Sequence, residues 1–333
     1  MELFDTLFGN EKLKATAATD IYCGRASHAY VLEGPEGSGR HTAAKLMASA
    51  LLCTEKNGAR FPCGKCLSCR KVAEGICTDV ITVNRGSKAT IGVDVIRELK
   101  ASLSFAPVEM ERKIYVVEEA DRMTVQAQNS FLLSLEEPPE FVTFILLCAD
   151  SSLLLETVRS RAPVIRMQLF SAKVISEYLQ NSVKTKKAAS NAEKLAAAVA
   201  SSGGAIGKAE RLLTDRNAPE LRTASLCRAI LPDLLSNSPS KRLEILKKFP
   251  TGRDELSSFL STLDVALRDL VCMKKNRESE LLFFYDAEEA AELCSSCTLK
   301  RLMSLADGIT EAKTKLASNV SAQPVLMLLV TKN

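Results

Sequence analysis

The stretch Gly34-Pro-Glu-Gly-Ser-Gly-Arg-His-Thr42 decides the fold of this 333-residue chain. It follows a short apolar run, Ala29-Tyr-Val-Leu32, and leads into the Ala/Leu-rich run Thr42–Leu52, which contains no glycine or proline. A glycine-rich turn between a strand and a helix is typical of a phosphate-binding loop, G-x-x-x-x-G-K-[ST]. Its glycines let the backbone wrap around phosphate oxygens, and N–H groups at the helix start point inward. We therefore expect a loop of this shape with glycines at Gly34, Gly37 and Gly39.

Two positions of the loop depart from that motif. Arg40 stands where the motif has lysine; it keeps the positive charge but is bulkier and planar. His41 stands where the motif has a hydroxyl, the usual protein ligand of magnesium, which is a hard cation that prefers oxygen. Two interpretations follow: a nucleotide site, or a loop kept for its shape after the nucleotide site was lost.

An acidic pair supplies the second half of such a site. Glu118 and Glu119 follow the apolar run Lys113-Ile-Tyr-Val-Val117. NTPases of this kind place an aspartate there for magnesium and then a glutamate that orients the attacking water. Glu118 is one methylene longer than that aspartate, and Glu119 takes the position of the base. A charged cluster at a strand end is also explained as a solvated turn, but with the loop upstream it indicates an NTPase-like fold.

The pattern of the chain changes near its middle. Up to about residue 169, apolar strand-like runs alternate with helical patterns, which indicates a parallel sheet covered on both faces. From about Ser171 nearly everything has helical spacing. We predict an α/β domain at 1–169, a small helical domain at 170–215 and a C-terminal all-α bundle at 220–333. The expected strands are Ala29–Leu32, Asp79–Val83, Lys113–Val117, Phe141–Leu147 and Val164–Met167, and the expected helices between them are Thr42–Leu52, Val93–Leu103 and Thr124–Leu135.

The composition excludes several classes of protein. Hydrophobic residues make up 46% and charged residues 25%, which is ordinary for a globular protein and argues against disorder. No apolar run approaches the ~18 residues that a membrane span needs. The N-terminus lacks a basic segment followed by an apolar one, so no secretory signal is visible and a cytoplasmic location is predicted. The net charge of +4 indicates no concentrated basic patch, so direct contact with DNA would be secondary.

Four of the eleven cysteines have metal-ligand spacing: Cys53, Cys63, Cys66 and Cys69. Thiolates spaced in this way can close a tetrahedral zinc site. All four ligand positions are filled, so the sequence predicts structural Zn²⁺ in a module at 53–75; the alternative is reduced thiols without a metal. Most of the others are expected to be small core residues, including a second C-x-x-C pair; they are Cys23, Cys77, Cys148, Cys227, Cys272, Cys294 and Cys297.

Further stretches resemble one family. They are Ser27-His-Ala-Tyr30, Ile91-Gly-Val-Asp-Val-Ile-Arg97, Asn129-Ser-Phe-Leu-Leu-Ser-Leu-Glu-Glu-Pro-Pro139 and Ser160-Arg-Ala162. Together with the loop and the cysteines they resemble the bacterial DNA polymerase III clamp-loader subunits of the AAA+ class. The resemblance runs from about Leu3 to Leu213 and continues weakly to Ser318-Asn-Val-Ser321. It implies an AAA+ domain with an inserted zinc module, then a small helical lid domain, then a C-terminal helical oligomerisation domain.

Within that family the resemblance is to the catalytically silent delta-prime type rather than to the catalytic gamma/tau type. The departures are Arg40, His41, Glu118, a sensor position that falls on Cys148 or Ala149, and a missing arginine near Gly207. They imply that ATP is not bound and that the chain is not catalytic alone. The alternatives are an ATP-hydrolysing gamma/tau-type subunit and a zinc-containing AAA+ adaptor without a role in replication.

The resemblance also implies partners and one active residue. The chain would be a stator in a hetero-pentamer with gamma/tau and delta subunits of the polymerase holoenzyme. It would reach the sliding clamp and primer-template DNA through that complex, in the replisome at the nucleoid. Arg161, in Ser-Arg-Ala, would be an arginine finger projecting into a neighbour's ATP site. The alternative for Arg161 is a structural surface arginine.

Overall fold

The protein is described here by a computed structural model. It describes residues 7–21, 23–55, 62–215, 219–236, 238–250, 252–275, 281–295, 297–317 and 326–327. The family resemblance at Leu3 and at Ser318–Ser321 lies outside these residues. The chain divides into two compact units, Met1–Gln168 and Leu169–Asn333.

The first unit contains a five-stranded sheet in which all pairings are parallel. Its order is β2-β3-β4-β1-β5. The central strands are buried along nearly their whole length, which is why they read as continuous apolar runs, whereas edge strand β2 is only half-buried. The strands are β1 (Ala29–Glu33), β2 (Val80–Val83), β3 (Lys113–Val117), β4 (Val142–Cys148) and β5 (Val164–Arg166).

Helices cover both faces of this sheet, as the sequence predicts. Those of the first unit are α1 (Glu11–Thr16), α2 (Arg40–Leu52), α3 (Leu67–Glu74), α4 (Val93–Ser102), α5 (Val125–Glu136) and α6 (Glu156–Arg159). Side chains of α2 and α3 share one apolar cluster with one face of the sheet, and those of α4 and α5 share another with the opposite face. The predicted α/β class is confirmed. Three of these helices are not predicted from the sequence: α1, α6 and α3, which lies inside the cysteine-rich module.

The second unit is helical throughout the part that the structure describes. Its helices are α7 (Ala172–Asn181), α8 (Lys186–Ala189), α9 (Ala192–Ser202), α10 (Ile206–Thr214), α11 (Pro219–Leu235), α12 (Pro239–Glu244), α13 (Arg253–Lys274), α14 (Ala287–Ser295) and α15 (Leu299–Ala317). One apolar cluster spans Phe170–Leu213 and a second is built mainly from α11, α13 and α15. The division into a lid domain and a C-terminal domain stays a prediction.

Two buried carboxylates brace loops in the two units. Asp79 in the first accepts hydrogen bonds from the backbone N–H groups of Val108, Glu109 and Met110 at 2.8–2.9 Å. Asp269 in the second accepts three from residues 282–284, at 2.6–3.2 Å. Such bonds satisfy donors that would otherwise be buried without partners.

The cysteines outside the metal-like cluster follow the core prediction with one clear exception. Cys77, Cys148, Cys227, Cys294 and Cys297 are buried, and Cys272 is half-buried. Cys23 is exposed, so the core interpretation is wrong for that residue. It lies just after the π-helical turn Ala17–Ile21, beside Gly24 with its positive φ of 72°, where the chain turns at the surface.

Candidate functional site

The glycine-rich loop joins β1 to α2 at the carboxyl edge of the sheet. Gly37 (φ 77°) and Gly39 (φ 91°) adopt left-handed conformations that favour glycine. At Gly34 a Cβ atom would lie 2.6 Å from Ser38 Oγ and 2.9 Å from Met167 Cβ, so the loop has no room for a side chain there. Helix α2 starts at Arg40 with Gly39 as its N-cap, which has no side chain to cap the first N–H groups. The backbone therefore has the features that a phosphate-binding loop needs.

Ser38 adds a polar atom to the inside of this loop. Its side chain is buried, and its Oγ has no hydrogen-bond partner among the residues that the structure describes. A buried hydroxyl without a partner is costly in free energy, so it indicates a place where a polar group can bind.

The two side chains at the magnesium positions contact each other. His41 Nδ1, in the first turn of α2, lies 3.2 Å from Glu118 Oε1, just after β3. The imidazole and the carboxylate are therefore in close contact. In a magnesium-dependent site a hydroxyl and an aspartate at these positions contact the ion directly or through water. Here nitrogen replaces the hydroxyl and the carboxylate already has a partner, so magnesium does not fit this arrangement.

Glu119, at the position of the base, is also engaged. Its Oε2 lies 2.6 Å from Arg85 Nε, and its backbone is left-handed, with φ of 48°. Arg85 lies just after β2, on the edge of the sheet next to β3. The carboxylate at the position of the base is therefore already paired with a guanidinium of the same chain.

The end of β4 lies between the glycine-rich loop, which follows β1, and the acidic pair, which follows β3, because β4 is flanked by β1 and β3 in the sheet. Cys148 is fully buried, and burial, with smaller contributions from nearby acidic groups, raises the pKa of its thiol to about 12. The next residue, Ala149, donates its backbone N–H to Asp121 Oδ2 at 3.0 Å. Neither predicted sensor position therefore carries a hydroxyl or an ionised side chain.

The four predicted metal ligands are brought together. The Sγ atoms of Cys53, Cys63, Cys66 and Cys69 all lie within 4.8 Å of one another, and those of Cys63 and Cys69 are 4.0 Å apart. In a tetrahedral zinc site with bonds of ~2.3 Å, the sulfurs are about 3.8 Å apart. The residues present therefore fit a tetrahedral metal ion with four thiolate ligands.

Backbone amides around the cluster donate hydrogen bonds to its sulfur atoms. Cys63 Sγ accepts from the N–H groups of Lys65 at 3.4 Å and Cys66 at 3.2 Å, in a turn where Gly64 has a φ of 68°. Burial raises the pKa of Cys66, but hydrogen bonds from the Cys69 amide and from Thr54 outweigh it and bring the pKa to about 6. Burial raises the pKa of Cys69, whose amide donates to Cys66 Sγ. A bound cation would stabilise the ionised form of all four thiols.

Arg161 lies just past α6, and its side chain is about one-third exposed. Its Nη2 is 2.5 Å from Glu136 Oε1 at the end of α5. Its Nη1 donates to the backbone oxygen of Thr157 at 2.9 Å and to Ser160 Oγ at 3.3 Å. The next residue, Ala162, is buried in the apolar cluster that α4 and α5 form with one face of the sheet. Its small side chain fills a packed position there.

The candidate residues thus form three groups: the loop with Glu118, the cysteine cluster, and Arg161. The sequence analysis did not assign roles to Arg85, to Glu136 or to the free hydroxyl of Ser38. Glu136 stands within a quoted motif, but nothing in the sequence indicates that it contacts Arg161. Pairing of this kind depends on the tertiary fold, since the residues come from separate elements.

Comparison with known proteins gives matches over the first half of the chain. Residues 9–171 match a family model described as DNA polymerase III, delta subunit. The gamma subunit of DNA polymerase III from Buchnera aphidicola subsp. Acyrthosiphon pisum is 31% identical over 180 residues, which cover 54% of this chain and 49% of that protein. The tau subunit from Bacillus subtilis is 34% identical over 158 residues, 47% of this chain and 28% of that protein. The chain spans about half, or less, of the length of these relatives.

Two solved structures cover nearly the whole chain at low similarity. A gamma subunit-related protein from Thermotoga maritima is 18% identical with a TM-score of 0.44, covering 96% of this chain and 97% of its own. The Bacillus subtilis clamp loader delta protein is 12% identical with a TM-score of 0.35, covering 97% and 98%. Both TM-scores are below 0.5, so these two structures carry no argument about the function of this chain.

A parallel sheet of this order, with a phosphate-type loop after β1 and an acidic pair after β3, defines an NTPase-like α/β protein. The sequence matches within this class are to subunits of DNA polymerase III, over the first half of the chain. None of the helices that the structure describes has the length and apolarity to cross a membrane.

Proposed function

We propose that this chain is a clamp-loader subunit of DNA polymerase III that does not hydrolyse ATP itself. The observation that carries the proposal is the 3.2 Å contact between His41 Nδ1 and Glu118 Oε1. This contact engages both side chains at the magnesium positions with each other. The loop therefore keeps its shape, but these two side chains are not available as magnesium ligands. The pairing of Glu119 with Arg85 supports the same conclusion at the position of the base.

In this proposal the chain is a delta-prime-type stator. It assembles with gamma/tau and delta subunits into a hetero-pentamer, and its partners' ATP drives loading of the sliding clamp onto primed DNA. Arg161 is exposed enough to contact a neighbour, and it would stabilise charge on the phosphoryl group being transferred there. The cysteine cluster holds structural zinc, because four thiolates leave no open ligand position for chemistry.

A second candidate is an ATP-hydrolysing subunit of the gamma/tau type. The gamma and tau relatives, at 31% and 34% identity, favour it. In that case Arg40 and His41 would be tolerated, and ATP binding would displace His41 from Glu118.

Two measurements test the proposal. With the purified chain alone, we expect no ATP hydrolysis above background in the presence of magnesium; clear turnover would favour the second candidate. With the chain reconstituted with ATP-hydrolysing clamp-loader subunits, Arg161→Ala should reduce ATP hydrolysis by about 10³-fold at the site that the finger completes. The matched control is Arg159→Ala, two residues earlier; equal activity of the Arg161 variant and wild type would remove the finger role.

A further inference from the structure

We propose that Glu136 holds Arg161 in a parked position and releases it when a neighbour's nucleotide arrives. This inference rests on the proposed function, because it needs Arg161 to act on a phosphate group outside the chain. It assigns a role to a residue that neither the loop nor the metal cluster uses. Glu136 is a positioning residue, since it acts through Arg161.

The geometry fixes where the guanidinium lies in the absence of a partner. Nη2 of Arg161 lies 2.5 Å from Glu136 Oε1, and Nη1 donates hydrogen bonds to the Thr157 backbone oxygen and to Ser160 Oγ. Both terminal nitrogens are therefore turned toward this chain's own surface. An arginine finger contacts phosphate oxygens through these terminal nitrogens. Arg161 must therefore give up at least its contact with the Glu136 carboxylate before it can contact a phosphate.

The electrostatics of α5 add to the attraction. The helix ends at Glu136, and its carbonyl groups give that end a partial negative charge. The last turn of α5 contains no basic residue, and Glu137 follows directly. Arg161 thus supplies the positive charge at a negative helix end.

The exchange is easily reversed. The ion pair is half-exposed, with 34% of the Arg161 side chain and 42% of the Glu136 side chain accessible, and such pairs are weak because water screens them. A nucleoside triphosphate carries several negative charges and three oxygens on its terminal phosphate, so it competes well against one carboxylate. The Arg161–Glu136 ion pair therefore favours the parked position of Arg161 when no nucleotide is near, and a polyphosphate can displace the carboxylate.

The test measures two properties of Glu136→Gln, which keeps the side chain's size and removes its charge. In the isolated chain, phenylglyoxal should modify Arg161 about two- to fivefold faster than in wild type, the range expected for losing a half-exposed ion pair. In the reconstituted complex, the ATP concentration for half-maximal hydrolysis should fall by a similar factor. Glu137→Gln is the matched control: it removes a charge from the same helix end and should leave both values unchanged.

The outcomes separate this inference from the proposed function. If Arg161→Ala leaves hydrolysis by the complex unchanged, the finger role fails, whatever Glu136 does. If Arg161→Ala lowers hydrolysis but Glu136→Gln behaves like wild type in both measurements, the finger stands and the parking role is overturned. Lower hydrolysis in Glu136→Gln would also overturn it, because Glu136 would then support the active position. Equal effects of Glu136→Gln and Glu137→Gln would indicate only the general charge of the helix end.

Discussion

At the scale of single residues, His41 decides what the glycine-rich loop can bind. The loop retains left-handed Gly37 and Gly39, the uncapped start of α2 and the buried hydroxyl of Ser38. These features suit phosphate. The magnesium positions are different in kind, because an imidazole cannot replace a hydroxyl for a hard cation, and its Nδ1 lies 3.2 Å from the carboxylate that remains. We therefore expect phosphate binding and magnesium binding to be separable in this site.

The first prediction follows from that separation. Magnesium should change the affinity of the wild-type chain for ATP by less than about twofold. The triple variant Arg40→Lys, His41→Thr, Glu118→Asp should bind ATP at least about tenfold more tightly with magnesium than without it, which is about 1.4 kcal/mol of binding free energy. Isothermal titration calorimetry with and without magnesium checks both values.

The control for this prediction is Arg40→Lys alone. It restores the lysine but leaves the contact between His41 and Glu118, so it should gain no dependence on magnesium. Tight, magnesium-dependent binding by the wild-type chain would contradict the prediction and the closed magnesium position behind it.

At the scale of elements, the cysteine cluster connects two helices. Cys53 directly follows α2 as its C-cap, and Cys66 is the N-cap of α3, accepting from the Cys69 N–H group at 3.4 Å. Cys69 Sγ also approaches the backbone oxygen of Ser49 in α2, at 3.8 Å. A metal ion here would fix the start of α3 against the end of the helix that begins at the glycine-rich loop.

The second prediction concerns this module. Cys66→Ser should lose bound zinc, measured by elemental analysis, because one of four thiolates is missing. It should also raise amide hydrogen exchange in α3 by about tenfold or more, since α3 has only eight residues and short helices need tertiary support.

Cys77→Ser is the matched control for the module. Cys77 is a buried cysteine just beyond α3 and is not a member of the cluster, so zinc content should stay at the wild-type level. Wild-type protein purified without zinc would contradict the metal assignment. Full zinc in Cys66→Ser would remove that residue from the ligand set.

The same scale shows what the sequence could predict. Each of the five strands was located to within one residue, because buried parallel strands have an unbroken apolar pattern that glycine, proline or charge interrupts. Helix α3 is not predicted because its eight residues, LSCRKVAE, are mostly polar and make only about two turns, too short a segment for a clear helical pattern. The pairs His41–Glu118 and Arg161–Glu136 could not be foreseen, since each joins two elements that only the fold brings together.

At the scale of the whole molecule, the two units have different internal construction. The first has separate apolar clusters on the two faces of one sheet. In the second, α9 contributes to both clusters: Ala198 and Val199 belong to one, and Ala200 belongs to the other. The predicted lid at 170–215 and bundle at 220–333 thus share a helix in their cores.

The last prediction uses that difference. Fragments 1–168 and 169–333, expressed separately, should each unfold cooperatively on heating, because each contains complete apolar clusters. Fragment 219–333 should melt more than about 10 °C below fragment 169–333, equivalent to about 2 kcal/mol at this size, because it lacks α9 and exposes the apolar surface that Ala200 covers. Circular dichroism at 222 nm measures both transitions. Equal melting temperatures would mean that the lid and the bundle are independent domains, and a non-cooperative fragment 169–333 would contradict the division at Gln168.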